Sequence, residues 1–235
     1  MVEDDAASAL LDEVVVEWTA GSVLSTLRKL VTTVWRTNLD RHERRLGDDA
    51  LTLGLQSSRN LCNLAVRQLA NVDGVAARDA RTLEVTYRGR VLHTGKVGST
   101  SPTWDMGWVD WSDSDVRYSG AEANTAAYMP VAGTLFEPVG PVPGQPADPS
   151  VMRHLHLSWQ GLPDGTTRAW LGFPRLGDEA WFAVVLLEDD GGGRGGMAPD
   201  GAAPVSPPPD FDTLGEPPLR VARRDEDGPQ RTRGA

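Results

Sequence analysis

Cysteine and lysine are scarce in this chain, and it has no long hydrophobic run. A single cysteine among 235 residues, Cys62, can form neither an internal disulfide nor a thiolate metal cluster. Cys62 lies in an apolar helical pattern, so we predict that it is a small core residue. The longest apolar run, residues 181–187, is far shorter than the roughly 20 residues of a membrane helix. These absences predict a protein with neither a disulfide framework nor a membrane-spanning segment.

Basic residues are almost all arginine, and the only two lysines are Lys29 and Lys96. Together with abundant alanine, glycine and aspartate, this balance indicates a GC-rich bacterial genome, in which codon supply explains many of the arginines. The N-terminus is acidic and has no continuous apolar region, whereas a secretory signal is basic and apolar. We therefore expect a cytoplasmic bacterial protein.

The net charge of −10 disfavours general binding to nucleic acid or to anionic membranes. Residues 28–45 depart from this average, because basic side chains there outnumber acidic ones. The basic residues are Arg28, Lys29, Arg36, Arg41, Arg44 and Arg45. A solvated helix face is the ordinary interpretation of such a run, and binding of nucleic acid or a partner is the alternative.

Residues 1–72 are predicted to form a helical layer. Proline is absent from this stretch, and apolar residues recur at helical spacing in two stripes that end near Trp18 and Trp35. Gly21 separates the stripes, so either one kinked helix or two helices precede a further helix over residues 49–69. We predict an antiparallel helical hairpin with both tryptophans in the core.

Residues 73–188 are predicted to form the β-rich portion of the same domain. Residues 82–87 and 90–97 flank a tight turn, which predicts a β-hairpin. Three further runs between residues 151 and 188 predict a meander, whose last strand is apolar on both faces and is expected at the sheet centre. Because helices and strands are segregated, we predict an α+β fold, with an N-terminal helical hairpin packed on a mostly antiparallel β-sheet.

Two segments have compositions that disfavour regular structure. Residues 137–150 contain five prolines and two glycines, so we predict a semi-rigid loop that neither pairs as a strand nor continues a helix. Residues 189–235 are rich in glycine and proline and have very few apolar residues. They are predicted to form a disordered C-terminal tail.

The segment with the greatest chemical density is residues 104–115, which hold three of the eight tryptophans and four aspartates. Indole rings bury apolar area while their N–H groups need partners, and carboxylates stay charged only where water, cations or donors reach them. We therefore expect this segment to border a pocket. The first hypothesis is a non-enzymatic protein that binds a protein partner or small ligand here. The candidate binding residues are Trp104, Trp108, Asp110, Trp111, Asp113 and Asp115.

The same segment contains Asp110, Ser112 and Ser114, whose spacing resembles the Asp-x-Ser-x-Ser metal-binding signature of von Willebrand A domains. The apolar parallel strand and the βα units that such a fold requires are not visible in this sequence. A polar loop with turn-forming residues is the simpler interpretation.

His154 and His156 are two residues apart on a predicted strand, so both side chains leave the same face. Such a pair can bind Zn²⁺, Mn²⁺ or Fe²⁺, and Asp110 or His93 could supply a third ligand. The alternative hypothesis is therefore a metal-dependent hydrolase, with phosphodiesters as candidate substrates, that holds a divalent cofactor at His154, His156 and Asp110. Without a visible third ligand, the ordinary interpretation is the solvent-facing half of an amphipathic strand.

Lys96 lies among glycines and hydroxyl residues. Glycine permits close approach of backbone to a phosphate, and lysine neutralises its charge. The phosphate-loop motif, Gly-x-x-x-x-Gly-Lys-Ser/Thr ahead of a helix, is absent. The glycine-containing end of a hairpin strand is therefore the favoured interpretation.

Overall fold

This computed structural model describes residues 4–98, 101, 103–129, 131–132, 142–143 and 147–187. The described residues belong to one unit that spans Met1–Gly191. None of the described helices is both long and apolar enough to cross a membrane. The predicted disordered tail, residues 189–235, lies outside the described residues.

Among the described residues, four α-helices accompany a six-stranded sheet, and the fold is α+β, as predicted. The helices are α1 Asp5–Ala20, α2 Val23–Arg41, α3 Ala50–Leu69 and α4 Asp115–Tyr128. Two helices form in place of one kinked helix, because Ser22 adopts a left-handed conformation with φ of 61° between them. Asp49 caps α3 through its carboxylate, which accepts the N–H of Thr52 at 2.7 Å.

The main sheet contains one parallel pair in an otherwise antiparallel arrangement. The strands are β1 Ala76–Ala80, β2 Thr82–Tyr87, β3 Arg90–Lys96, β4 Val131–Ala132, β5 Val142–Pro143, β6 His154–Gly161, β7 Thr167–Pro174 and β8 Trp181–Leu187. The order in the main sheet is β1-β2-β3-β6-β7-β8, with β3 and β6 parallel. The predicted hairpin and meander are confirmed. Sequence reasoning missed β1, because its Ala-Ala-Arg-Asp-Ala sequence is poor in β-forming residues.

The sequence prediction that places β8 at the sheet centre is wrong. β8 is an edge strand, and β7 is its neighbour. It is apolar on both faces because both faces are covered: Phe182 belongs to the core under the helices, and Trp181 belongs to a second apolar cluster on the other face. Burial on two sides, which the composition does indicate, does not require a central position in the sheet.

A second correction concerns the proline-rich segment 137–150. Within it, β5 pairs with β4 antiparallel, and Pro143 lies opposite Val131. Proline is tolerated because each strand of a two-stranded sheet is an edge strand, so a missing N–H donor need not interrupt the hydrogen bonds between strands. Residues 137–141 and 144–146 of the predicted loop lie outside the described residues.

Helices α1, α2 and α3 cover one face of the main sheet, which we call the helical face. α1 packs on β7 and β8, α2 on β6 and β7, and α3 on β1, β2 and β3. Trp18 and Trp35 are 0% and 2% exposed, which confirms their predicted core positions. From β6, Leu155, Leu157 and Trp159 join this core, as their alternation predicts.

Gly161 ends β6 against the indole of Trp35, and a Cβ at this position would overlap that ring. The ring is not free to move aside. It is buried, donates its Nε1–H to the carbonyl of Leu162 at 2.8 Å, and meets Trp159 edge-on with centroids 6.4 Å apart. Gly161→Ala should therefore lower the free energy of unfolding by about 1–3 kcal/mol, as overpacking does elsewhere. Urea denaturation measures this loss.

Gly54→Ala provides the matched control for that substitution. An added Cβ at Gly54 meets no atom within 4 Å, and the residue lies inside α3. Alanine is favoured over glycine in a helix by up to ~1 kcal/mol, so this variant should be neutral or stabilised. A Gly161→Ala protein as stable as the wild type would contradict the close contact with Trp35.

Candidate functional site

The tryptophan-rich segment and α4 cover the opposite face of the sheet, which we call the loop face. The segment forms two short 3₁₀ turns, Met106–Trp108 and Trp111–Asp113. Trp111 is 3% exposed and donates its Nε1–H to the carbonyl of Ala180 at 2.8 Å. Its ring meets those of Trp181 and His156 edge-on, with centroids 4.7 and 5.1 Å away. The structure thus brings the predicted binding segment against the strand that carries the histidines, with Trp111 as a buried contact.

Two aspartates of this segment stabilise its turns. The carboxylate of Asp105 accepts the N–H of Gly107 at 2.6 Å, and that of Asp110 accepts the N–H of Ser112 at 2.8 Å. Hydrogen bonds from the Ser112 side chain and backbone lower the pKa of Asp110. Turn formation therefore accounts for both residues without a ligand.

The other predicted binding residues are spread over the segment. Trp104 is half-buried and meets Trp170 edge-on, with centroids 5.7 Å apart. Asp113 and Asp115 are exposed. The side chain of Trp108 lies outside the described part of the chain.

A shallow depression of about 250 Å³ lies beside this segment. Asp110 and Trp111 line it together with Arg175 and Asp178. Arg175 already pairs with Glu179 at 3.6 Å. The depression is therefore mixed in charge and has no concentrated charge of one sign to select a ligand.

Three histidines share the loop face. His93 lies opposite His156 in the parallel pairing of β3 and β6, and the rings of His93 and His154 are stacked with centroids 6.4 Å apart. His156 is 2% exposed, so the expectation of a solvent-facing histidine pair is wrong for this residue, because the loop and α4 cover the strand. Burial lowers the pKa of all three, that of His156 to about 3, and they are neutral at pH 7.

Among the described residues, no three histidine, cysteine, aspartate or glutamate side chains are placed to hold a metal ion. The set His154, His156 and Asp110 therefore gains no support from the geometry. A hydrolase that depends on this set stays a prediction from the sequence.

The basic run on α2 and the following turn faces solvent for the most part. Lys29, Arg36, Arg41, Arg44 and Arg45 are exposed, and Arg28 is half-buried. This exposure is what a solvated helix face requires. It equally leaves the predicted nucleic-acid interface accessible, so exposure does not separate the two interpretations.

A pocket of about 330 Å³ opens where β2 and β3 separate. Their pairing begins at Glu84 opposite His93, while the preceding residues of β2 pair with β1 and the following residues of β3 pair with β6. α3 and the first turn of α4 border the gap. The lining residues are Leu55, Ser58, Arg59, Cys62, Arg81, Thr82, Leu83, Thr94, Gly95, Lys96, Ser114, Arg117 and Trp159. We call it the cationic pocket, because four of these residues are cationic and none is a carboxylate.

Among the residues that the structure describes, three of the four cations lack a carboxylate partner. Arg59 pairs with Asp79, with 2.5 Å between Nη1 and Oδ2. Within the described part of the chain, Arg81, Lys96 and Arg117 form no ion pair with aspartate or glutamate. A protein with a net charge of −10 thus places four cationic residues around one small space, and three of them form no ion pair among the described residues. Such a cluster attracts and binds anions.

Two indoles partly enclose Lys96. Its Nζ lies 5.1 Å from the ring centroid of Trp35 and 5.8 Å from that of Trp159. The ammonium donates to the carbonyl of Val97 at 3.4 Å. Burial lowers the pKa of Lys96, because the charged form loses water.

Neutral groups complete the wall of the cationic pocket. Ser114 occupies the N-cap position of α4, but its side chain makes no capping hydrogen bond, and helix N-termini favour negative charge. Thr82 and Thr94 add hydroxyls. Cys62 is buried, as predicted, and burial raises the pKa of its thiol, so it contributes a neutral surface.

Sequence reasoning noted Lys96 but missed the arginines around it. Arg59, Arg81 and Arg117 come from three separate segments, and arginine is so common in this chain that no local pattern distinguishes them. One signal was available. Side chains alternate between the two faces along β3, so Lys96 lies on the same face as Leu92, the face covered by the helices. One of the two lysines of the chain thus occupies an inward position.

The cationic pocket has the dimensions of a small-molecule site, which are typically 300–1,000 Å³. It combines guanidinium forks, an amine and hydroxyls with apolar surface from Leu55, Leu83 and Trp159. Comparison with protein-family models, curated proteins and solved structures found no match for this chain. Neither a ligand nor an activity is therefore suggested by a relative.

Proposed function

We propose that this protein is a ligand-binding protein whose ligand is a small anion, bound in the cationic pocket. One observation carries the proposal. Arg81, Lys96 and Arg117 line a space that no carboxylate lines, and they form no ion pairs with acidic residues in the described part of the chain. A bound phosphate or carboxylate would supply the missing negative charge.

The pocket offers both strength and selectivity for such a ligand. Hydrogen bonds between guanidinium groups and phosphate or carboxylate oxygens are charge-assisted, and each contributes roughly 1.5–3 kcal/mol. Arg117 is half-buried, so solvent screens its charge less than that of an exposed arginine. Leu83 and Trp159 provide apolar surface for the rest of a ligand. These features favour an anionic head group attached to a small organic body.

This proposal keeps the ligand-binding class expected from the sequence but moves the site. The tryptophan-rich segment directs Trp111 into the loop face and uses Asp110 in a turn. The pocket volume of about 330 Å³ suits a small molecule rather than a nucleic-acid duplex.

Isothermal titration calorimetry with inorganic pyrophosphate tests the proposal. Arg117→Gln should weaken pyrophosphate binding at least about tenfold, because it removes one charge-assisted hydrogen-bond donor group worth roughly 1.5–3 kcal/mol. The substitution breaks no ion pair among the described residues, so the fold should be retained.

Arg67→Gln is the matched control, since it makes the same change in net charge at an exposed position on α3 outside the cationic pocket. It should change pyrophosphate affinity less than about twofold. Equal losses of affinity in the two variants would reveal a non-specific charge effect. Absence of saturable pyrophosphate binding to the wild type would also count against an anion site.

A further inference from the structure

We propose that Lys96 is a carbonyl-reactive amine, and that the ligand of the cationic pocket is a small anionic aldehyde or ketone that forms an imine with it. This inference rests on the proposed function, since the arginines would hold the anionic group while Lys96 meets the carbonyl.

The placement of Lys96 is unusual for a lysine whose only task is solvation. Its ammonium lies beside the rings of Trp35 and Trp159, and both Lys96 and Trp159 line the cationic pocket. Its one hydrogen bond among the described residues is a long one, 3.4 Å, to the neighbouring carbonyl of Val97. Since no carboxylate among the described residues forms an ion pair with this amine, its neutral form could attack the carbonyl group of a ligand in the pocket.

The surroundings also favour the neutral amine, which is the nucleophilic form. Burial lowers the pKa of Lys96, and no carboxylate lines the cationic pocket to stabilise the charged form. The choice of residue agrees with this role. The chain uses lysine only twice, and arginine, which it uses everywhere else, stays charged and cannot form an imine.

The chemical step is balanced without any further reagent. The neutral Nζ attacks the carbonyl carbon and gives a carbinolamine. Loss of water then breaks the C–O bond and forms C=N, with both amine protons leaving on the water oxygen. No electron donor or acceptor takes part, and hydrolysis of the imine restores Lys96 and the carbonyl compound.

Reductive trapping with two matched probes tests this inference on the full chain. Pyridoxal 5′-phosphate and 5′-deoxypyridoxal carry the same free aldehyde, and only the first carries a phosphate. After borohydride reduction at pH 7, peptide mass spectrometry reports the labelled fraction of each amine. We expect pyridoxal 5′-phosphate at limiting concentration to label Lys96 at least ten times more than Lys29, which is exposed on α2 and serves as an internal control.

Two variants sharpen the result. Arg117→Gln should reduce labelling of Lys96 by pyridoxal 5′-phosphate about tenfold while leaving labelling by 5′-deoxypyridoxal nearly unchanged, since only the phosphate contacts the arginine. Lys29→Arg should leave the labelling of Lys96 as in the wild type. Equal labelling of the two lysines by pyridoxal 5′-phosphate would overturn the assignment of Lys96.

The outcomes separate this inference from the proposed function. If pyrophosphate binds but Lys96 is not preferentially labelled, the anion site stands and the reactive lysine is rejected, which leaves Lys96 as a cation held by two indoles. If Lys96 is labelled equally well by both probes and pyrophosphate does not bind, the anion site is rejected, and with it the anionic class of carbonyl ligand.

Discussion

Lowering the pH from 7 to 5 should destabilise this protein by about 2 kcal/mol through His156 alone. His156 is 2% exposed, and burial lowers its pKa from 6.5 to about 3. Below pH 6.5 the unfolded chain binds a proton at this residue that the folded protein does not, so the free energy of unfolding falls with pH. The pKa values of His93 and His154 are also lowered, and they add to the loss in the same direction. At pH 3 the contribution of His156 would reach roughly 4 kcal/mol, a large part of an ordinary domain's stability.

Urea denaturation followed by tryptophan fluorescence at several pH values between 5 and 7 measures this effect. The window lies above the range in which the carboxylates with lowered pKa values, such as Asp49 and Asp110, would contribute, because their ordinary pKa is 3.8. His156→Leu should make the dependence of unfolding free energy on pH shallower by up to about 1.4 kcal/mol per pH unit. An unchanged slope in this variant would show that His156 is not the buried titrating group.

Trp111→Ala should cost about 3–5 kcal/mol of unfolding free energy, which places this tryptophan among the structural residues of the loop face. The substitution removes a ring packed between His156 and Trp181 and leaves the carbonyl of Ala180 without its indole donor. A loss of this size is a large fraction of the roughly 5–15 kcal/mol by which ordinary domains are stable. Chemical denaturation and thermal melting both measure it.

Trp111→Phe is the graded comparison, because it keeps an aromatic ring and removes the indole N–H. We expect it to cost roughly 1–3 kcal/mol from the unsatisfied carbonyl and the smaller ring. The folded Trp111→Phe protein should still bind pyrophosphate. Wild-type stability of Trp111→Ala combined with loss of binding would instead favour the tryptophan-rich segment as the ligand site.

The fold class could be predicted from the sequence because its signals are local. The apolar stripes ending near Trp18 and Trp35 mark the helices, and the tight turn between residues 82–87 and 90–96 marks a hairpin. The pairing of distant strands could not be predicted in this way. Nothing in the alternation of β3 indicates that it pairs in parallel with β6, or that the apolar β8 lies at an edge.

The candidate site was less predictable for a related reason. The clustering of tryptophan and aspartate at residues 104–115 predicts a segment that borders a pocket, but composition cannot distinguish a binding surface from a segment that covers the sheet, and Trp111 is buried against the sheet. The cationic pocket depends on three arginines and one lysine that the chain brings together only after β2 and β3 separate. Such a site can be recognised only in the tertiary structure.

The single parallel strand pair also has a consequence for how the molecule folds. β1, β2 and β3 can assemble through neighbouring segments, and so can β6, β7 and β8, but Val91 and its partner His154 are separated by about 60 residues of chain. We call the β3–β6 pairing the seam between these halves, and we expect it to form late in folding, since contacts between distant parts of the chain form slowly. Lys96 comes from one half and Trp159 from the other, so ligand-binding competence would be acquired only when the seam closes. Until then β3 and β6 present unpaired edges, which makes this stage the most prone to aggregation during synthesis.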